Sequence, residues 1–186
     1  EHNTFNKRRH FHFLRYLEKF LYSRYNYIIC ISNSTKYNLE NWLRESIPKN
    51  KCKVIYNGSR TFKISTRNIN KKDKIRVVSI GSLTYQKGFD IAIKSINLCR
   101  EKVDQYFIYG EGPEKSKLEK LINELKLEKI VSFKGYRKDL DKINLNSDLA
   151  LITSRWEGFG LVAIEFLSAG IPVIASSIDG LKEILN

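Results

Sequence analysis

Methionine is absent from the 186-residue chain, and proline and cysteine occur only three times each. With no initiator methionine at Glu1 and an abrupt stop at GLKEILN, the chain is expected to be a fragment of something longer. Its cysteines (Cys30, Cys52, Cys99) are odd in number, widely spaced and never CxxC. That pattern excludes a disulfide-stapled mini-protein and argues for a reducing cytoplasm and against a zinc site. Long apolar runs are also lacking. The longest, such as Tyr27–Ile31 and Arg76–Ile80, fall far short of the roughly 20 residues of a spanning helix. The opening EHNTFNKRRH has no apolar h-region of a secretory signal. Glycine does not appear before Gly58, and acidic residues are scarce over the same stretch.

What is present divides the same way. Residues 1–72 hold 16 Lys+Arg and 4 Asp+Glu, a net of +12, whereas residues 73–186 hold 17 and 16, a net of +1. The 42% hydrophobic share supports a sizeable core, so disorder and collagen are excluded, and the length suits one domain or one plus part of another. Between about 57 and 74 the polar NGSRTFKISTRNINKKDK is longer than most loops inside a compact domain and reads as a linker.

In the basic half, Lys7, Arg8, Arg9, Arg15, Lys19 and Arg24 lie around Phe13, Leu14, Leu17, Phe20 and Leu21. The apolar set recurs at steps of three and four, so Asn6–Tyr25 reads as an amphipathic helix. Such a helix suits an anionic leaflet surface; its apolar stripe equally suits a protein core with the basic face in water. Nucleic acid is not expected, because no module signature accompanies the charge.

Strands and helices then alternate. Strands are predicted at Tyr27–Ile31, Lys53–Tyr56, Ile75–Ile80, Gln105–Tyr109, Ile130–Phe133, Leu149–Thr153 and Pro172–Ala175. Helices are predicted at Ser34–Arg44 behind a Ser-Asn-Ser cap, from about Gly88 to Arg100, from Pro113, and at Lys138–Leu145, Phe159–Ser168 and Gly180–Leu185. Repeated β–α units imply a Rossmann-like parallel sheet with helices on both faces, in which ligands bind beyond the carboxyl ends of the strands.

Three strand ends carry candidate chemistry. In Ile80-Gly81-Ser82-Leu83-Thr84-Tyr85-Gln86-Lys87-Gly88 a glycine turn can present backbone N–H groups and a helix N-terminus to a phosphate, with Lys87 adding a full charge. An ordinary βα turn with an exposed lysine reads equally well. Gly110-Glu111-Gly112-Pro113 allows close approach to a ligand, or serves a tight turn. In Glu157-Gly158-Phe159-Gly160-Leu161-Val162-Ala163-Ile164-Glu165 the helix is apolar all round except for Glu165, which is therefore expected to be buried or nearly so and to need partners. It could accept hydrogen bonds from a ligand's paired hydroxyls, with Glu157 facing the same cleft, or form a structural salt bridge to Arg155 or Lys87. Asp139-Leu140-Asp141 spells DxD but lies in an apparent helix, where helix N-terminal acids are the simpler reading. His10 and His12 read as surface, and neither a Ser/His/Asp elbow nor HExxH occurs.

Taken together, these residues resemble the retaining GT-B glycosyltransferases of the large family 4. The Glu-x7-Glu pattern, Glu157 to Glu165 within SRWEGFGLVAIEFLSAGIPVIAS, is that family's most specific mark. ISNSTKYNL, KVIYNG, VVSIGSLTYQKGFD, YGEGP and VSFKGY follow in the family's order over nearly the whole chain. The resemblance implies two Rossmann-like domains facing a cleft: residues 1–58 as the end of the acceptor domain, 59–72 as linker, and 73–186 as most of the donor domain. It implies that Glu165 holds the donor ribose, that Glu157 contacts the transferred sugar, and that the Phe159, Gly160 and Leu161 amides beside Gly158 steady sugar and diphosphate. Lys87 would neutralise the departing diphosphate over Gly81 without a metal or other cofactor, with Gly110 and Gly112 lining the same site. Many members carry Arg where this chain has Ser82, so one of two usual cations is missing. His2, about thirty residues before ISNS, stands where many members place an active-site histidine. The implied activity is transfer from a UDP- or GDP-linked sugar to a glycan or lipid-linked acceptor in cell-surface polysaccharide synthesis, at the cytoplasmic membrane face through residues 6–25. The rivals are a GT-B relative such as a nucleotide-sugar epimerase, and a basic membrane-binding module without catalysis; the fragment alone could also be inactive.

Overall fold

The computed structural model describes residues 11, 13–43, 48–59, 74–138 and 147–185. In chain order the elements are α1 (Leu14–Arg24), β1 (Ile28–Cys30), α2 (Asn33–Leu43), β2 (Cys52–Val54), β3 (Ile75–Ile80), α3 (Phe89–Leu98), β4 (Val103–Tyr109), α4 (Lys115–Glu124), β5 (Val131–Gly135), β6 (Leu149–Ile152), α5 (Leu161–Ser168), β7 (Val173–Ala175) and α6 (Asp179–Leu185). The chain divides into two compact units. One comprises residues 1–58, 156–161 and 177–186, the other 59–155 and 162–176.

The second unit is a five-stranded sheet in the order β5-β4-β3-β6-β7, every pair parallel. The strands run outward in both directions from β3 and β6, so strand order reverses between them. Val77 and Val78 alternate across the pleat and enter different cores. Val77 joins Phe89, Ala92, Ile93 and Ile96 of α3 and Leu118 and Ile122 of α4. Those spacings are the apolar stripe of a helix lying on a sheet. Val78 faces Ala150 and Phe166, which bring α5 onto the opposite face. Between strands, the buried Tyr106 hydroxyl donates to Ser79 Oγ at 2.8 Å, and Ser79 Oγ donates to the Leu151 carbonyl, tying β4, β3 and β6 together.

The first unit is smaller. β1 and β2 pair in parallel, and Ile28, Cys30, Leu39, Leu43 and Cys52 form its buried cluster. α1 packs through the side carrying Tyr22 and Glu18, with Trp42 Nε1 donating to Glu18 Oε2 at 2.6 Å. Of the two readings of this helix, the one with its apolar stripe in the core is not met: Leu17, Phe20 and Leu21 are exposed.

Three further expectations shift. α2 begins at Asn33 and not at Ser34, with Ser32, the first residue of the Ser-Asn-Ser cap, as its N-cap: Ser32 Oγ accepts from the Thr35 N–H at 3.0 Å while Thr35 Oγ1 accepts from the Ser32 N–H at 3.1 Å. Pro113 lies in a turn before α4 and is not its first residue, because the next amide, Glu114 N–H, is drawn across to the Leu83 carbonyl at 3.0 Å. α5 begins at Leu161 and not at Phe159, because Gly160 has a φ of 89°, which a right-handed helix does not admit. Among the described residues no helix is long and apolar enough to cross a membrane.

Candidate functional site

In an open parallel sheet, a ligand site lies beyond the carboxyl ends of the strands, where strand order reverses. Here that place is the end of β3 beside the end of β6. Two loops continue the β3–β4 pairing past the strand ends. The Gly81 N–H donates to the Tyr109 carbonyl at 3.0 Å, the Leu83 N–H to the Glu111 carbonyl at 2.9 Å, and the Glu114 N–H returns to Leu83. The approach is too close for side chains. A Cβ at Gly110 would lie 1.9 Å from the Gly81 oxygen, and one at Gly112 would lie 2.5 Å from the Leu83 oxygen. The turn reading of the Gly110–Gly112 pair thus has a concrete basis in the loop opposite.

Gly81 and Lys87 are brought together. The Lys87 stem runs past Gly81, with its Cγ, Cδ and Cε each 3.5 Å from where a Gly81 Cβ would stand. Lys87 is half-buried and Ser82 is exposed. The turn that carries Lys87 is fastened to the end of β6. Thr153 Oγ1 donates to the Gly88 carbonyl at 2.8 Å, and the Arg155 N–H donates to the Gln86 carbonyl at 2.7 Å. Gly88 is in the left-handed region, and any Cβ there would strike the Thr153 carbonyl.

Arg155 completes this fastening. Its guanidinium donates to both Asp90 oxygens, at 2.9 and 2.7 Å, and to the Tyr85 carbonyl at 2.7 Å, while it stacks 3.9 Å from the Tyr85 ring centroid. The paired guanidinium holds the Asp90 carboxyl below its ordinary range, and Asp90 in turn raises Arg155. The sequence reading considered Arg155 only as a partner for Glu165 and overlooked Asp90. The available signal was an acid in the first turn of a helix behind a glycine.

Glu165, expected to be buried or nearly so, is partly buried on α5. Glu157 is also half-buried but belongs to the other unit, as do Gly158, Phe159 and Gly160. Within that unit the Gly158 carbonyl accepts from Ser32 Oγ at 2.7 Å, and the buried Phe159 ring stacks on Tyr56 at 5.3 Å. Among the described residues no three His, Cys, Asp or Glu side chains gather as a metal site. His2, His10, His12, the linker core 60–73 and Asp139–Asp141 lie outside the described residues.

Residues 60–186 match the sequence profile of the family "Glycosyl transferases group 1". A protein described as an uncharacterized glycosyltransferase of Methanocaldococcus jannaschii is 33% identical over 155 residues, which cover 75% of this chain and 40% of the relative. The Escherichia coli O-antigen biosynthesis glycosyltransferase WclY is 32% identical over 148 residues, or 75% of this chain and 41% of WclY. The crystal structure of Anabaena HepE in complex with UDP and glucose aligns at a TM-score of 0.79 and 26% identity, over 95% of this chain and 52% of HepE. The chain therefore spans about half of these proteins or less. The reversal of strand order at β3 and β6, the paired loops after β3 and β4 and a profile match over more than half the residues lead to one assignment: the chain belongs to the group 1 glycosyl transferases, family 4 of the GT-B fold.

Proposed function

We propose that this chain is part of a retaining glycosyltransferase that moves a sugar from a nucleotide-sugar donor to a glycan or lipid-linked acceptor in cell-surface polysaccharide synthesis. The observation that carries this reading is the Lys87 stem lying against Gly81 at the reversal of strand order, where the loop opposite admits only glycine. A diphosphate in that place meets backbone amides of the Gly81 turn and the Lys87 ammonium, and Lys87 neutralises charge on the leaving group as the glycosidic bond breaks. That is the work for which other transferases use a metal, so the reaction is proposed to need none. Glu165 accepts from the donor ribose hydroxyls. Glu157 and the amides of Phe159, Gly160 and Leu161 address the sugar, and His2 lines its site from the acceptor side. Ser82 brings no charge, so diphosphate affinity rests on Lys87 and the amides. HepE holds UDP and glucose, which supports a UDP-linked donor, and the role of WclY in O-antigen synthesis supports a surface glycan as product.

In this reading residues 1–58 close the acceptor domain, 59–72 are the linker and 73–186 form most of the donor domain. The exposed Leu17, Phe20 and Leu21 beside Lys19 and Arg24 support an anionic leaflet on the cytoplasmic side as the surface where a lipid-linked acceptor is met.

Calorimetric titration of UDP, GDP and ADP into the chain, beside Glu165→Ala, tests the donor site. One nucleotide is expected to bind selectively. Losing the charged hydrogen bonds of Glu165, about 1.5–3 kcal/mol, should weaken that nucleotide by roughly tenfold to a hundredfold. Failure of all three to bind a folded sample would overturn the reading for this chain.

A further inference from the structure

The loop from Glu157 to Gly160 has no regular secondary structure of its own, yet each of its residues meets a neighbour from another element. Ser32 Oγ donates to the Gly158 carbonyl at 2.7 Å. Tyr56 stacks on the Phe159 ring. Gly180 of α6 passes so close that a Cβ there would lie 2.4 Å from the Glu157 carbonyl oxygen, and one on Gly160 would lie 2.5 Å from Leu181 Cδ2. The loop is therefore clasped between the start of α2 with Tyr56 on one side and α6 on the other.

Glu183 locks the two sides of the clasp together. One of its oxygens accepts from the Ser34 N–H at 2.6 Å and from the Ser34 hydroxyl, and the other from the Asn33 N–H at 2.9 Å and Asn33 Nδ2 at 3.3 Å. Asn33 Nδ2 also reaches the Tyr56 hydroxyl at 2.6 Å. A carboxylate at the first amides of α2 is a favourable end for that helix, and here it comes from α6.

Ser32 is chosen for two tasks at once. As N-cap it needs only an acceptor, which Asp or Asn would supply equally well. Its hydroxyl has one proton, and the Gly158 oxygen at 2.7 Å is nearer than Thr35 Oγ1 at 3.1 Å, which gives its own proton to the Ser32 carbonyl. An aspartate could cap α2 but could not donate to the loop. Ser32 is wholly buried, so no water substitutes for the bond.

We propose that Ser32, with Tyr56 and Glu183, forms a positioning set that fixes the Gly158–Leu161 backbone in the conformation that receives the donor's sugar and diphosphate. The functional half of this statement rests on the donor-site reading above. Segment 32–56 thereby acts on the donor without touching it, through a loop more than a hundred residues away in sequence.

Hydrogen exchange and titration on the full chain test the two halves separately. In Ser32→Ala, amide exchange at Phe159, Gly160 and Leu161 should rise at least tenfold, with the β3 and β4 amides unchanged. Thr35→Val is the stability control, since it removes the bonds of Thr35 Oγ1 to the Ser32 N–H and carbonyl and leaves both the Thr35 N–H bond to Ser32 Oγ and the bond to Gly158. It should leave loop exchange near the wild-type value. Tyr56→Phe, which keeps the stack, should behave like wild type, and Tyr56→Ala like Ser32→Ala. In the titration, whichever of UDP, GDP and ADP binds the wild type should weaken about tenfold in Ser32→Ala, while its nucleoside binds unchanged. Equal loop exchange in Ser32→Ala and wild type overturns the positioning claim. Equal weakening of nucleoside and diphosphate assigns Ser32 a merely structural part and also overturns it. If the wild type binds no nucleotide, the donor-site reading fails, and the exchange data still decide whether Ser32 orders the loop.

Discussion

Replacing Gly110 by alanine would place a Cβ 1.9 Å from the Gly81 carbonyl oxygen, on a residue whose φ is 140°. The backbone conformation alone, largely closed to side chains, is worth about 1–3 kcal/mol. Relieving the overlap then requires the loops to part. That weakens the bonds from Gly81 N–H to the Tyr109 carbonyl and from Gly110 N–H to the Gly135 carbonyl, each contributing about 0.5–1.5 kcal/mol. Gly110→Ala is therefore expected to lower the unfolding free energy by roughly 2–5 kcal/mol, a large share of the about 5–15 kcal/mol of an ordinary domain. Gly135→Ala is the matched control. Its φ is 67°, but the nearest atom to its Cβ would be Glu111 Oε1 at 3.8 Å, so no loop has to move. The left-handed backbone there should cost about 1–2 kcal/mol. Urea unfolding of the two variants and the wild type, followed by circular dichroism, separates the effects. If Gly110→Ala costs no more than Gly135→Ala, the close approach of the two loops is not what demands glycine at Gly110.

Asp90→Ala leaves the Arg155 guanidinium without its carboxylate and should cost about 1–2 kcal/mol at neutral pH, since the pair is partly open to solvent. Because the folded Asp90 carboxyl titrates below its ordinary value, its contribution is complete above about pH 4 and is lost as the pH falls further. The deficit of the variant in urea unfolding should shrink between pH 7 and pH 3, and a deficit unchanged with pH would remove the ion pair as its cause. Thiol labelling gives a simpler check. Cys99 is exposed, whereas Cys30 and Cys52 are buried, and burial together with nearby Glu40 pushes the Cys52 thiol up. One thiol should react quickly in the native chain and three in denaturant; rapid labelling of all three in the native chain would contradict the β1–β2 packing.

The parallel sheet was legible because its strands are buried on both faces and read as short β-branched runs such as Ile75–Ile80, each followed by glycine or a cap. Glycine punctuation likewise pointed to Gly81, Gly88, Gly110 and Gly112, though not to their reason. For Gly88, Gly110 and Gly112 that reason is the carbonyl of a different loop, and no local pattern encodes it. The apolar residues around Glu165 on α5 pointed to a carboxylate buried or nearly so, and Glu165 is partly buried on a helix that turns one side to the Val78–Phe166 core. The start of the same helix was misplaced for a local reason that composition hides. Phe159 has an ordinary helical side chain, but Gly160 takes a left-handed conformation and releases it to stack on Tyr56.

The clasp around Gly158 was illegible for a different reason. Ser32 and Gly158 are 126 residues apart, and Ser34 and Glu183 are 149 apart. Each residue has a sufficient local explanation: serine caps a helix, and glutamate decorates an exposed helix face. Sequence reasoning stops at the first sufficient explanation, so a residue that serves a local and a distant role is filed under the local one. The distinguishing chemistry is a single proton. Capping requires only that Ser32 accept, so the choice of a hydroxyl over a carboxylate at a wholly buried cap signals that something else must be donated to. A buried hydroxyl cap paired with a backbone carbonyl far away in the chain is a physical signal, and here it leads from the cap of α2 to the loop on which the proposed donor site depends.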